Sequence, residues 1–490
     1  MTHQLGVLAE RAAARGGELV FEGRRYGAAE GWQRTLRLAG GLRAAGVAPG
    51  DRVVVLMANC PEVPISYAAL WWIGAVVTPV VFLVSAPELT HILTDSGAVG
   101  VITTPEFAPK VTEAGVPVPT YVVGQDSFAE LERGKPAQRV ARSDDDLAAL
   151  LYTGGTTGRS KGVMLSHDGL WLTGKASHDI GYVPGLLTSM TALPLSHAFG
   201  LIVTIVGMHN PEPGLMVLQR WFDPAAFLAL AAEHRIARIA VVPSMLQLLL
   251  AQPLEDYDLS ALRYVSSGGS PLATSVLEAW EQRVPGSLVQ EGYGLTETSA
   301  VVSSSSAQER KIGAVGKPIP GLSLRIEGPD GQELTPGVDG EICVASPGVM
   351  KGYWQAPDAT AHALRGGFLH TGDIGHLDKD GFLHVVDRLK DLIIRGGFNV
   401  YPRDVEDVLL AHPAVAAAAV VGRPDEMHGE EVVAYVALLP GAQATPAELI
   451  SFAKGQLAAT KYPREIRLVD AIPLTSVGKT DRKALRALVR

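Results

Sequence analysis

The chain is 490 residues long, 47% hydrophobic and 19% charged, too long for one core and predictive of a globular protein of two or more domains. Its net charge of −9 argues against nucleic acid or an anionic membrane surface as the main partner. Cys60 and Cys343 are its only cysteines, which excludes a disulfide framework or a cysteine-rich metal centre and fits a reducing cytoplasm.

Residues 1–25 hold no apolar stretch followed by a small-residue cleavage site, so no signal peptide is expected. Helical periodicity covers residues 32–45 and 87–95, with Pro87 suited to an early helical position. Buried strands are predicted at residues 53–57, 76–81, 100–103 and 239–242. The run 68–84 is almost wholly apolar but contains Gly74, Thr78 and Pro79, and it is short for a membrane span of about 20 residues. It predicts a buried helix followed by a buried strand, with no membrane span. This alternation points to an α/β fold with parallel sheets covered by helices.

After Gly316 the pattern changes to short strands at 322–326, 341–344 and 382–386, separated by Gly, Pro and Asp, as in a small β-rich unit. Beyond Asp391 the pattern reads helix 405–410, strand 415–421, strand 431–438 and helix 446–457. Charges cluster from Asp387 to Asp391 between apolar strands. A boundary there divides the chain into a large domain, residues 1–389, with parallel-rich αβ sheets plus the small β unit, and a small α+β domain, residues 390–490.

The densest chemical signal runs from Leu150 to His167, L-L-Y-T-G-G-T-T-G-R-S-K-G-V-M-L-S-H. Between apolar flanks, Thr153, Thr156, Thr157, Ser160, Lys161 and the glycine backbone are set to converge on an anion. Glycine lets amides approach phosphate oxygens, and lysine adds a point charge. It is not a Walker loop, because Lys161 follows Ser160 and precedes Gly162.

Weaker signals follow. Glu291-Gly-Tyr-Gly-Leu-Thr-Glu-Thr298 places one carboxylate, Glu297, between Thr296 and Thr298. It reads either as a Mg²⁺ site for a nucleotide or as a capping segment. Gly268-Gly269-Ser270 and Thr371-Gly-Asp373 read either as close backbone approaches or as turns. Asp387-Arg-Leu-Lys-Asp391, followed by Arg395-Gly396-Gly397, is either a solvated connector or a hinge. His197, in Pro194-Leu-Ser-His-Ala-Phe-Gly200, is equally a satisfied core histidine. Lys479, after Gly478, is equally a solvated lysine.

In this order the motifs resemble the adenylate-forming superfamily of acyl-CoA synthetases, luciferases and peptide-synthetase adenylation domains, most nearly its fatty-acid and aryl-acid CoA ligase branch. The resemblance covers nearly the whole chain, from Tyr26 and Gly50-Asp51-Arg52 to Lys479. It implies that Thr153, Gly154, Gly155, Thr156, Thr157, Gly158 and Lys161 hold the phosphates of ATP. Gly268, Gly269 and Ser270 would line the adenine, with Tyr293 against its ring and Gly294 in the same nucleotide-binding motif. Thr296 would touch the α-phosphate and Glu297 would hold Mg²⁺. Asp373 and Arg388 would reach the ribose, and Lys390 matches the hinge of a mobile C-terminal domain. Lys479 matches the lysine inserted during adenylation. Arg395, Gly396 and Gly397 match the loop lining the thiol tunnel, and His197 matches the gate beside the acyl site.

Three positions depart from the family pattern. Gly154 stands where serine is usual, Ser160 where proline is common, and Ser196 where an aromatic residue often precedes the histidine. Gly154 keeps an amide but lacks a hydroxyl donor, which implies a looser grip on phosphate.

The resemblance implies a small carboxylic acid as substrate and coenzyme A as acceptor, with the phosphopantetheine of a carrier protein second. Residues 181–210 contain no Asp or Glu, whereas peptide-synthetase domains use an acidic residue near there to anchor an α-amino group. An unpaired buried ammonium is costly, so a standard α-amino acid is disfavoured, although Asp223 leaves a differently placed amine open. Apolar runs 201–208 and 241–245 favour a fatty or aryl acid. A luciferase-like oxygenase or a non-catalytic nucleotide-binding homologue are the rival classes. Joint retention of Lys161, Glu297, Asp373, Arg388 and Lys479 argues against the second. Oligomeric state is not legible.

Overall fold

The structure, a computed structural model, describes residues 2–153, 159–474 and 480–489. Their contacts divide the chain into two compact units. The larger comprises Met1–Leu272, Val276–Ser323 and Val344–Leu369, and the smaller comprises Ala273–Ser275, Leu324–Cys343 and His370–Arg490.

The larger unit carries two sheets. In the six-stranded sheet the spatial order is Thr120–Val122, Gly100–Thr103, Arg52–Leu56, Val76–Pro79, Leu147–Thr153 and Lys161–Ser166. Its first five strands are parallel and the last is antiparallel. Val53, Val54, Val55 and Leu56 are all buried, which is why this strand reads as a continuous apolar run, being covered on both faces. The apolar run at 68–84 resolves into the end of the helix Glu62–Trp72 and the strand Val76–Pro79. The indole N–H groups of Trp71 and Trp72 donate to Ala148 O and Ala137 O at 3.0 and 2.9 Å, so neither ring is buried with an unmet donor. The helix Ala86–Ser96 starts where Ser85 accepts from Glu88 N and stops at Gly97 in the left-handed region, the start and stop chemistry expected of its sequence. The helix predicted at 32–45 begins earlier, at Ala28, after an extended Gly27.

The nine-stranded sheet runs in spatial order Lys317–Pro318, Ser303–Ser304, Leu288–Tyr293, Tyr264–Ser267, Arg238–Val241, Thr188–Thr191, Leu215–Leu218, Glu18–Phe21 and Arg24–Gly27. The strands from Leu288–Tyr293 to Glu18–Phe21 are parallel, with antiparallel edges on both sides. Phe227, Val241, Leu246, Val265, Trp280 and Val289 belong to the core on this sheet.

The smaller unit has a four-stranded sheet, Ser323–Glu327, Gly340–Ala345, Leu369–Leu377 and Leu383–Arg388. A second sheet pairs Val415–Asp425 with Gly429–Leu438 in a long hairpin. The helices Pro402–Leu410 and Pro446–Gln456 contribute Val405, Leu409 and Leu449 to its core. Among the described residues no helix is long and apolar enough to cross a membrane.

Candidate active site

Thr153 pairs with Lys161 across the antiparallel pair Leu147–Thr153 and Lys161–Ser166. The segment between them contains Gly154, Gly155, Thr156, Thr157 and Gly158, which lie outside the described residues, as does Lys479. Lys161 is exposed, and its Nζ stands 5.1 Å from the centroid of the Tyr353 ring. The same tyrosine donates its hydroxyl proton to Glu297 Oε1 at 2.9 Å. Lys161 and Glu297, 136 positions apart and expected from the resemblance to serve phosphate and Mg²⁺, thus meet on one aromatic side chain that the sequence had not singled out. Its only signal is the Gly352-Tyr353-Trp354 aromatic pair after a glycine.

Glu297 sits in the short 3-10 turn Thr296–Thr298 that follows the strand Leu288–Tyr293. Beyond it Ser299 and Ala300 take left-handed φ values of 53° and 81°, each costing about 1–3 kcal/mol. Ser299 Oγ donates to Gly348 O at 2.8 Å, and a Cβ at Gly294 would lie 1.9 Å from Ala300 O. Gly294 is therefore required by the close approach of two backbones.

Gly268 and Gly269 follow the carboxyl end of the strand Tyr264–Ser267, the edge at which parallel α/β sheets place ligands. A Cβ at Gly268 would lie 3.2 Å from Gly292 O and 3.6 Å from the Phe199 ring. Gly269 has a φ of 85°, and Ser270 is exposed beside it. Phe199 is in the first turn of the helix Ala198–Met208, whose N-cap is His197; the imidazole Nδ1 accepts from Phe199 N at 3.2 Å. His197 thus anchors the helix that carries Phe199 toward Gly268.

In the smaller unit, Asp373 and Arg388 are paired across adjacent antiparallel strands, and Arg388 Nε lies 3.1 Å from Asp373 Oδ1. Asp373 is only 4% exposed. A carboxylate beside a guanidinium offers acceptors and donors to a vicinal diol. Burial and the neighbouring Arg388 charge lower the Lys390 pKa. Next to it, Asp391 accepts from Arg486 at 2.7 Å. Arg395 makes a two-pronged ion pair with Glu431 at 2.6 and 3.0 Å, and Gly396 N donates to His428 O at 2.7 Å. Gly397 follows at a φ of 82°. Glu327, Cys343 and His370 also approach one another. There His370 faces Glu341 at 2.9 Å and Glu327 at 3.8 Å, and Arg325 pairs with Glu327, so two basic side chains answer the two carboxylates.

The larger unit suits ATP and its metal ion on the chemistry of its donors. Among the described residues, the hydroxyls of Ser160, Ser196 and Ser267 are buried without a hydrogen-bond partner. Glu297 Oε1 is engaged by Tyr353, and the carboxylate has a second oxygen for a hard cation.

The chain is similar to known proteins over most of its length. Residues 8–354 match the family model described as AMP-binding enzyme, and residues 404–479 match the AMP-binding enzyme C-terminal domain. A feruloyl-CoA synthase from Amycolatopsis sp is 39% identical over 464 residues, covering 91% of this chain and 90% of that protein. A long-chain-fatty-acid–CoA ligase from Bacillus subtilis is 34% identical over 493 residues, covering 92% and 88%. ATP-bound MatB from Rhodopseudomonas palustris shares the fold with a TM-score of 0.91 at 33% identity, over 100% of this chain and 99% of that one. The chain belongs to the AMP-binding enzyme family, the adenylate-forming acyl-CoA synthetases. Its activity is that of an AMP-forming acid–thiol ligase: a carboxylic acid is adenylated with release of pyrophosphate, and the acyl group passes to coenzyme A.

Proposed function

We propose that the acid is an apolar monocarboxylate, aryl or fatty, activated as its MgATP-derived adenylate. The observation that carries this is the Phe199 ring against Gly268, on a helix whose residues from Ala198 to Met208 include no charged side chain. Such a wall rejects an ammonium, which would be buried unpaired. The names of the relatives, feruloyl-CoA synthase and long-chain-fatty-acid–CoA ligase, support the same class.

The acid's carboxylate attacks the α-phosphorus of ATP in line and pyrophosphate departs. Two anions have to approach, so catalysis is positioning plus charge neutralisation. Lys161 and the loop around Thr153 hold the departing phosphates, Thr296 lies at the α-phosphate, and Tyr293 stacks on the adenine. Glu297 would hold Mg²⁺, which would supply charge stabilisation on the phosphate oxygens. Asp373 accepts from the ribose hydroxyls with Arg388 beside it, and Lys479 bridges carboxylate and phosphate oxygens. Rotation about Lys390 then withdraws Lys479 and brings the Gly396-Gly397 loop to the thiol path, a conformational change between half-reactions.

The test is pyrophosphate release with ATP, Mg²⁺ and a panel of aryl, fatty and amino acids, each with and without coenzyme A. Release driven by aryl or fatty acids, with thioester formed on coenzyme A, is expected. Release driven only by amino acids would overturn the substrate reading.

A further inference from the structure

Residues 351–354 add another edge to the strand that carries Lys161. Lys351 N donates to Met164 O at 2.9 Å, Met164 N to Gly352 O at 3.0 Å, and Trp354 N to Gly162 O at 2.7 Å. Val163 and Tyr353 form an antiparallel bridge. One residue earlier, Met350 N donates to Glu297 O at 2.8 Å. A single extended segment therefore fixes the backbone of both the lysine strand and the glutamate turn.

Tyr353 is at the centre of this clamp. Its backbone N donates to Thr360 Oγ1 at 2.9 Å, which helps hold the segment against the following helix, Pro357–Ala363. Its hydroxyl reaches Glu297 Oε1 at 2.9 Å, and its ring lies 5.1 Å from Lys161 Nζ.

We propose that Tyr353 is a positioning residue for the metal: its hydroxyl holds one oxygen of Glu297 so that the other is presented to the Mg²⁺ of MgATP, while its ring keeps Lys161 over the same phosphates. The proposal rests on the reading of Glu297 as metal ligand and Lys161 as phosphate ligand. Donors that hold a metal-binding carboxylate from behind fix its orientation, and losing one typically costs 10–100-fold in metal affinity or activity. A ring over an ammonium adds a weaker, separable attraction.

The test measures metal binding without turnover. Mn²⁺ is titrated into the full chain with α,β-methylene-ATP, and free Mn²⁺ is followed by electron paramagnetic resonance. Binding of the metal-free nucleotide is measured alongside by calorimetry. Tyr353→Phe keeps the ring and removes the hydroxyl. It is expected to weaken Mn²⁺ about 10-fold and to leave metal-free nucleotide affinity as in the parent. Unchanged Mn²⁺ affinity overturns the proposal. Equal loss of metal and metal-free nucleotide binding also overturns it, because that marks a loosened loop. Glu297→Gln separates the two levels. If it weakens Mn²⁺ while Tyr353→Phe does not, only the positioning role falls; if neither variant weakens Mn²⁺, the assignment of Glu297 falls with it.

Discussion

Arg486 Nη2 donates to Asp391 Oδ1 at 2.7 Å, and Arg482 stands 3.9 Å from the other oxygen of the same carboxylate. Arg482 is itself fixed by Glu406 at 2.7 and 2.8 Å. The final helix, Arg482–Ala487, thereby anchors the residue directly after Lys390 to the smaller unit. Asp391 is 5% exposed, and breaking a buried pair by removing one partner costs about 3–5 kcal/mol. The pivot proposed at Lys390 stands one residue before this anchored carboxylate, within the stretch His370–Arg490 of the smaller unit.

Proline at 390 tests the pivot, because its ring fixes φ near −65°. Lys390→Pro is expected to keep adenylation and to slow thioester formation from preformed acyl-adenylate by about 10-fold or more, on the order of a lost gating step. Single-turnover measurement of the two half-reactions separates them. A second half-reaction at the parent rate would remove Lys390 from this role.

Lys479 has the opposite expectation. Lys479→Ala should lower pyrophosphate release by about 10²–10³-fold, the scale of losing one transition-state donor. Thioester formation from supplied acyl-adenylate should be largely retained. Equal losses in both would contradict its assignment to adenylation.

Gly294→Ala addresses the glutamate turn. The new Cβ would overlap Ala300 O, so one backbone has to move, at a cost of about 1–3 kcal/mol or more. We expect a lower thermal midpoint together with weaker MgATP binding, since Ala300 follows the turn that carries Glu297. An unchanged midpoint would show that the turn is looser than its contacts indicate.

Stability should fall on mild acidification. Burial and Arg142 lower the pKa of His167 to about 4, against Asp144 and Asp146; burial, His178 and Lys175 lower that of His209 to about 4, against Asp179. His167 Nδ1 accepts from Leu5 N at 3.2 Å, which requires that nitrogen unprotonated. The unfolded chain takes up these protons near pH 6.5 and the folded chain only near pH 4. Stability is therefore fully present above pH 6.5 and is lost as pH falls toward 4, by on the order of 3 kcal/mol per histidine. Denaturant titration between pH 7 and 4 should show this slope, and His209→Gln should flatten it. A stability independent of pH across that interval would refute both assignments.

Much of this molecule is legible in its residues. Unbroken apolar runs such as Val53–Val55, separated by amphipathic segments, can be satisfied only by strands covered on both faces, so the α/β class follows from periodicity. The run Leu150–His167 stands out for a similar local reason, glycine, hydroxyl and charge at close spacing, whereas roles for Glu297, Asp373, Arg388 and Lys479 came only as what the family resemblance implies. Pro87 and Ser85 mark their helix for the same reason.

Long-range register is what the sequence could not supply. Tyr353 becomes functional only because residues 351–354 pair with the strand Lys161–Ser166 and Met350 reaches Glu297. Phe199 matters only because its helix brings the ring to Gly268. Arg486 and Arg482 find Asp391 from the far end of the chain. A tyrosine, a phenylalanine or an arginine in isolation is ordinary core or surface material. The sequence by itself determined the fold class, written in periodicity, and offered the polar candidates of its local motifs. Only the tertiary structure decided which side chains hold that chemistry in place, because non-local backbone pairing and burial set those distances.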